Sequence, residues 1–129
     1  MFNPTSQQCR YLSVTSSSSS MDENEYEEIA DETLDNLSEK LEYFLDKLED
    51  KTYDIMLNNG VITLALGNNG TYVINKQTPN KQIWLSSPIS GPKRYDYING
   101  QWIYKHDGQS LNELLKCELD KMFNISIDL

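Results

Sequence analysis

The sequence predicts an α+β domain, a two-layer sandwich in which two helices pack on one face of an antiparallel sheet of about six strands. Three observations predict it. A long stretch near the start of the chain spaces its apolar residues by three and four. The middle of the chain is a series of short β-prone runs separated by Asn-Gly, Pro and Gly signals. A second helical period opens on a Ser-x-x-Glu capping box. The 129 residues suffice for one such domain with a real core.

Taken in order, residues 1–21 contain no acid, one arginine (Arg10) and a serine run, Ser16 to Ser20. Their composition is that of a disordered segment, compatible with a mitochondrial transit peptide or its remnant. The folded domain is expected over 22–129. Residues 24–49 read as an amphipathic helix about 39 Å long. Its apolar stripe is Tyr26, Ile29, Ala30, Leu34, Leu37, Leu41, Phe44, Leu45 and Leu48.

Six short strands follow: 53–58, 61–66, 71–75, 82–86, 94–97 and 101–104. Asn59-Gly60 and Asn99-Gly100 are hairpin turn signals. Alternation places Ile55, Leu57, Ile62, Leu64, Leu66, Tyr72, Ile74, Ile83 and Leu85 on the buried face. The same alternation turns Asn75, Gln77, Gln82 and Trp84 to the other face. A tryptophan ringed by amides there has the form of a protein-docking anchor, the equal alternative being a ring half-buried under a loop. In the next strand Tyr95 and Tyr97 face one way, Arg94 and Asp96 the other. The second helix starts at Ser110, with Leu111, Leu114, Leu115, Leu119 and Met122 as its stripe. Cys117 is expected to pack inside it as a small hydrophobe. Ile125, Ile127 and Leu129 end the chain.

Charge is unevenly placed. Residues 22–50 hold 13 of the 20 acids against Lys40 and Lys47, a net of −11, whereas residues 71–105 carry a net of +4. Glu28, Glu32, Asp35, Glu39, Glu42 and Asp46 form a stripe opposite the apolar one. Like charges at this spacing cost about 0.2–0.5 kcal/mol per pair, or about 1–2.5 kcal/mol over five successive pairs. Repulsion left in place suggests a used surface, the alternative being a merely solvated helix face, the more common case in a generic protein. Carboxylates are hard oxygen ligands suited to Mg, Ca, Mn and iron cations, and a convex helix face binds them weakly and exchangeably. Docking onto a basic protein surface is the other use open to it.

The net charge of −9 argues against a nucleic-acid binder. No apolar run approaches membrane-spanning length. The single histidine, His106, excludes a His-rich zinc or copper site, and Cys9 and Cys117 suggest no disulfide framework. No nucleophile elbow, P-loop, G-x-G-x-x-G or His-Glu-x-x-His is present. His106-Asp107 reads as a local turn element.

The run Asn75-Lys-Gln-Thr-Pro-Asn-Lys-Gln-Ile-Trp-Leu-Ser-Ser-Pro88 followed by Ser90-Gly-Pro-Lys-Arg-Tyr-Asp96 resembles the signature of the frataxin family. Ala30-Asp-Glu-Thr-Leu-Asp35 and Tyr104-Lys-His-Asp-Gly-Gln-Ser-Leu-Asn-Glu-Leu-Leu115 fit the same family, so the likeness runs from about Asp22 to Ile127. The resemblance implies a factor of iron–sulfur cluster assembly in the mitochondrial matrix or a mitochondrion-derived organelle. It implies weak binding of Fe2+ and Fe3+ through Glu23, Glu27, Asp31, Glu32, Asp35, Glu39 and Asp54. It implies docking on a cysteine desulfurase and its scaffold protein through Asn75, Lys76, Gln77, Gln82, Trp84 and Arg94. It implies a monomer with iron-dependent oligomers, and no nucleic-acid or membrane partner. A second activity implied by the likeness is a ferroxidase or iron store that oxidises Fe(II) with oxygen. A general interaction module without a metal role is the third alternative. Two features depart from the family pattern. The link between first helix and first strand is short, and the chain stops soon after the second helix, which predicts lower stability than in a longer-tailed relative.

Overall fold

The computed structural model describes residues 21–129; the expectations for the preceding segment, 1–20, lie outside them. Helix α1 (Glu23–Lys47) is followed by strands β1 (Asp54–Asn58), β2 (Val61–Ala65), β3 (Thr71–Gln77), β4 (Gln82–Ser87), β5 (Gly91–Ile98) and β6 (Gln101–Ile103), then helix α2 (Leu111–Phe123). The six strands pair in sequence order, all antiparallel. The predicted architecture is therefore the observed one.

Local chemistry explains the boundaries. Asp22 caps α1 and forms a reciprocal box with Glu25, so the helix begins one residue before the predicted start. Ser110 and Glu113 form the predicted box on α2. Asn59-Gly60 and Asn99-Gly100 both take positive φ at both residues, the type I′ geometry that matches strand twist. Asn69-Gly70 behaves differently. A single 3-10 turn, Gly67–Asn69, precedes Gly70, whose added Cβ would meet Pro88 Cβ at 2.5 Å. Glycine is needed there for space as well as for its φ of +97°.

The core lies between the helices and one sheet face. Tyr26, Ala30, Leu34, Leu37, Leu41 and Phe44 of α1 meet Ile62, Leu64, Tyr72, Ile74, Ile83, Leu85, Tyr95 and Trp102 of the sheet, with Leu111, Leu114, Leu115 and Leu119 of α2. Ile55 and Leu57 face the same way but are only half-buried, because β1 is an edge strand. Polar ties fix the layers. Trp102 Nε1 donates to Thr33 Oγ1 at 2.9 Å and Tyr26 Oη donates to the Gln82 carbonyl at 2.6 Å.

Helix α2 departs from expectation in two places. Cys117 is exposed, not packed. Glu118, in line with Leu111, Leu114 and Leu115, takes a buried place on the stripe, while Met122 is half-buried. The last residues pack back on the helix despite their shortness. Ile127 is buried, its amide donates to Asp120 and its carbonyl accepts from Lys116.

The strand β6 is short. It pairs with Asp96 to Ile98 of β5, so Gly91 to Tyr95 have no strand partner on their outer side among the described residues. The face of the sheet opposite the helices carries no further layer among the described residues.

Candidate functional site: an amide-ringed tryptophan on the open sheet face and an acidic helix behind it

Strand register assembles the open-face site. Asn75 pairs with Trp84 and Trp84 with Arg94, so these three side chains lie in one row across β3, β4 and β5. Gln77 opposes Gln82, and Gln82 opposes Asp96, forming the adjacent row. The guanidinium of Arg94 stacks over the Trp84 ring, 4.7 Å from its centroid. Trp84 Nε1 donates to Gln82 Oε1 at 2.8 Å, and Gln82 Nε2 donates to Asp96 Oδ1 at 3.1 Å. The tryptophan is thus held in one orientation and left half-buried, with its apolar surface available to a partner.

A groove of about 560 Å³ continues from this patch to the free side of β5. Lys93, Tyr104, Lys105 and His106 form its outer wall. Lys93 Nζ lies 5.5 Å from the Tyr104 ring centroid, and the Tyr104 and His106 rings are 5.0 Å apart. Sequence reasoning missed this wall. Strand alternation finds residues on one face, but this wall joins Lys93 of β5 to the loop after β6, which β6 frees by stopping early. The clustering of Lys93, Arg94 and Lys105 in the basic stretch was the available signal. Asp107 and Gly108 close a turn on the Tyr104 carbonyl, as expected of His106-Asp107.

Lys76 does not join its neighbours. It pairs with Ile83, on the helix side of the sheet. Its ammonium donates to Glu27 Oε1 at 2.5 Å and to Asp31 Oδ1 at 2.6 Å. Thr78 Oγ1 donates to the other oxygen of Glu27 at 2.8 Å. The Lys76 ammonium, then the Thr78 hydroxyl, hold the Glu27 carboxyl below the usual carboxylate range. Asp31 first, then Glu27, raise the Lys76 ammonium above its usual value. The structure therefore separates Lys76 from Asn75, Gln77, Gln82, Trp84 and Arg94 and groups it with the helix acids.

The metal candidates spread out. Glu23, Glu32, Asp35 and Glu39 are exposed along α1. Asp54 opens β1 at the end away from the Asn59-Gly60 turn, facing outward on the open side, whereas Lys76 and its acids lie at the turn end. Among the described residues no group of three or more His, Cys, Asp or Glu is placed to hold one ion. Glu27 and Asp31 do converge on one point, and a cation, the lysine ammonium, stands on it. Hard carboxylates on an exposed helix suit a loosely held, water-rich hard cation better than a fixed centre.

The frataxin-like domain family matches residues 19–125. The chain is 46% identical over 122 residues to the mitochondrial frataxin homologue of Schizosaccharomyces pombe, covering 93% of this chain and 77% of that protein. It is 48% identical over 115 residues to the Drosophila melanogaster homologue, covering 84% of this chain and 60% of the relative. Their names place both relatives in mitochondria, as the sequence led us to expect. Among solved structures, trimeric yeast frataxin complexed with ferrous iron superimposes with a TM-score of 0.69 at 42% identity, over 84% of this chain and 91% of that one. The frataxin of Psychromonas ingrahamii gives 0.64 at 28% identity, over 84% and 97%. The paired register of the signature, the two-helix sandwich and these likenesses agree: the chain belongs to the frataxin family.

Proposed function

We propose that this protein is an accessory factor of mitochondrial iron–sulfur cluster assembly, docking by its open sheet face on a cysteine desulfurase–scaffold complex and carrying weakly held iron on α1. One observation supports this most. Asn75, Trp84 and Arg94 form a pre-oriented row on a sheet face that no other described element covers. A central aromatic anchor with an amide and guanidinium rim is what a protein interface uses. Iron enters as cargo. The yeast structure complexed with ferrous iron supports that role, as do the exposed acids of α1.

The ferroxidase or iron-store reading has less support. Oxidation of Fe(II) by a dedicated site calls for an enclosed, rigid ligand set. Of the candidate acids, only Glu27 and Asp31 converge, on the Lys76 ammonium; the others stand apart on the exposed helix or on the opposite sheet face.

The test is cluster formation by a reconstituted desulfurase and scaffold at controlled iron. Trp84→Ala is expected to weaken docking about 30-fold, as for loss of an anchor worth about 2 kcal/mol. Asn75→Ala should act in the same direction. Unchanged stimulation by both variants overturns the proposal.

A further inference from the structure

We infer that Lys76 is a built-in competitor for the cation position between Glu27 and Asp31, so that it sets the affinity of that position and ties its occupancy to the β3–β4 turn. The inference rests on the proposed iron cargo role and deepens it. Two contacts carry it. The Lys76 ammonium lies 2.5 Å from Glu27 and 2.6 Å from Asp31. A hard cation recruiting both carboxylates must take the place of that ammonium, since two cations within contact distance repel. Lys76 remains protonated and moves to solvent, so the exchange needs no proton or electron transfer.

The second link is structural. The stem of Lys76 lies over Gly60, where an added Cβ would meet its Cε at 2.9 Å. The lysine thus reaches across the β1–β2 turn to the helix, with its own amide donating to the Gly60 carbonyl. Glu27 also accepts from Thr78, the first residue of the 3-10 turn Thr78–Asn80 joining β3 to β4. Neighbouring Tyr26 donates to the Gln82 carbonyl, and the Gln82 side chain accepts from Trp84. The acids and the anchor of the open face therefore hang on the same turn. A cation that draws Glu27 away from Lys76 and Thr78 loosens the segment from which Gln82 and Trp84 extend. By reciprocity, a partner that alters this turn alters cation affinity.

The test uses the full chain, with Mn2+ as an oxidation-resistant hard probe in calorimetry and Ca2+ in heteronuclear NMR. Lys76→Met keeps most of the stem over Gly60 and removes the charge. Lys81→Met removes the same charge from the exposed position after the turn, and serves as the control. Lys76→Met should bind Mn2+ about 10-fold more tightly than wild type, with Lys81→Met within about 2-fold of it. In wild type, Ca2+ should shift the Thr78 and Lys81 amides, and in Lys76→Met that shift should be much reduced. Equal tightening in both variants overturns the inference, because net charge then explains the affinity. Unchanged or weaker binding by Lys76→Met also overturns it, as does absence of Mn2+ binding in wild type and variant alike. Tightening without turn shifts in wild type overturns the link to the turn. None of these readings depends on desulfurase or scaffold, so failure here is distinguishable from failure of the docking proposal, which the Trp84 variants report.

Discussion

Tyr95 is fully buried, and its hydroxyl has no hydrogen-bond partner among the described residues. Burial is the first cause that raises its phenol above the ordinary range. A desolvated hydroxyl without a partner is a cost that phenylalanine removes while keeping the ring. Tyr95→Phe is therefore expected to be neutral or to stabilise by up to about 1 kcal/mol in urea denaturation. A loss of more than about 1 kcal/mol would show a partner for this hydroxyl. Glu118 is the opposite case. It is buried and accepts from Tyr72, Ser87 and Ser90 at 2.7, 2.7 and 2.6 Å. Glu118→Ala strands three donors and should cost about 2–4 kcal/mol, measured by the same denaturation series.

At the scale of elements, that carboxylate joins α2 to β3, to β4 and to the loop that leads into β5. Ser87 Oγ, which donates to Glu118, also accepts the amides of Ile89 and Ser90. One side chain of α2 thus shapes the approach to Pro92 and Arg94. The sequence did not announce this, because a glutamate among Leu, Asp and Lys reads as solvent-facing. Its spacing of seven from Leu111 and four from Leu114 was the signal that could have found it. Helices, strand order and the outward set Asn75, Gln77, Gln82 and Trp84 were legible, because period and turn chemistry dictate them locally. The same alternation turns Lys76 to the helix side, and only its ion pair with Glu27 and Asp31, more than forty positions away, was beyond local reasoning. Ends of helices carry their own prediction. Asp22 accepts from the Glu25 amide at 2.8 Å, so Asp22→Ala should destabilise by about 1 kcal/mol and fray the first turn, seen as faster amide exchange at Glu25 and Tyr26. Unchanged exchange there would mean that packing of Tyr26 alone fixes the helix start.

For the molecule as a whole, three buried tyrosines set the alkaline limit. Burial pushes Tyr26 up to about 12, and burial first, then hydrogen bonding to Glu118, raises Tyr72; Tyr95 moves the same way. A folded-state value above the unfolded one gives stability that is complete below the ordinary phenol value of about 10. That stability is lost as pH rises from there through the folded value. Urea midpoints should hold to about pH 9 and fall by about pH 11; a flat profile would contradict this burial. On the acid side, Glu27 has a lowered value, so its contribution is present above the unfolded carboxylate range and is lost as pH falls through the folded value.

The shortness of β6 bears on how copies of the molecule meet. Gly91 to Tyr95 offer an outer strand margin that β6 does not occupy. An unguarded margin of this kind recruits strands from other molecules and seeds aggregation. Here Pro92 interrupts the row of amide donors, and the Lys93 side chain, its ammonium donating to the Ser90 carbonyl, lies against the Tyr104 ring. A proline and a lysine on this margin discourage self-templated sheet growth at the concentrations of a crowded organelle.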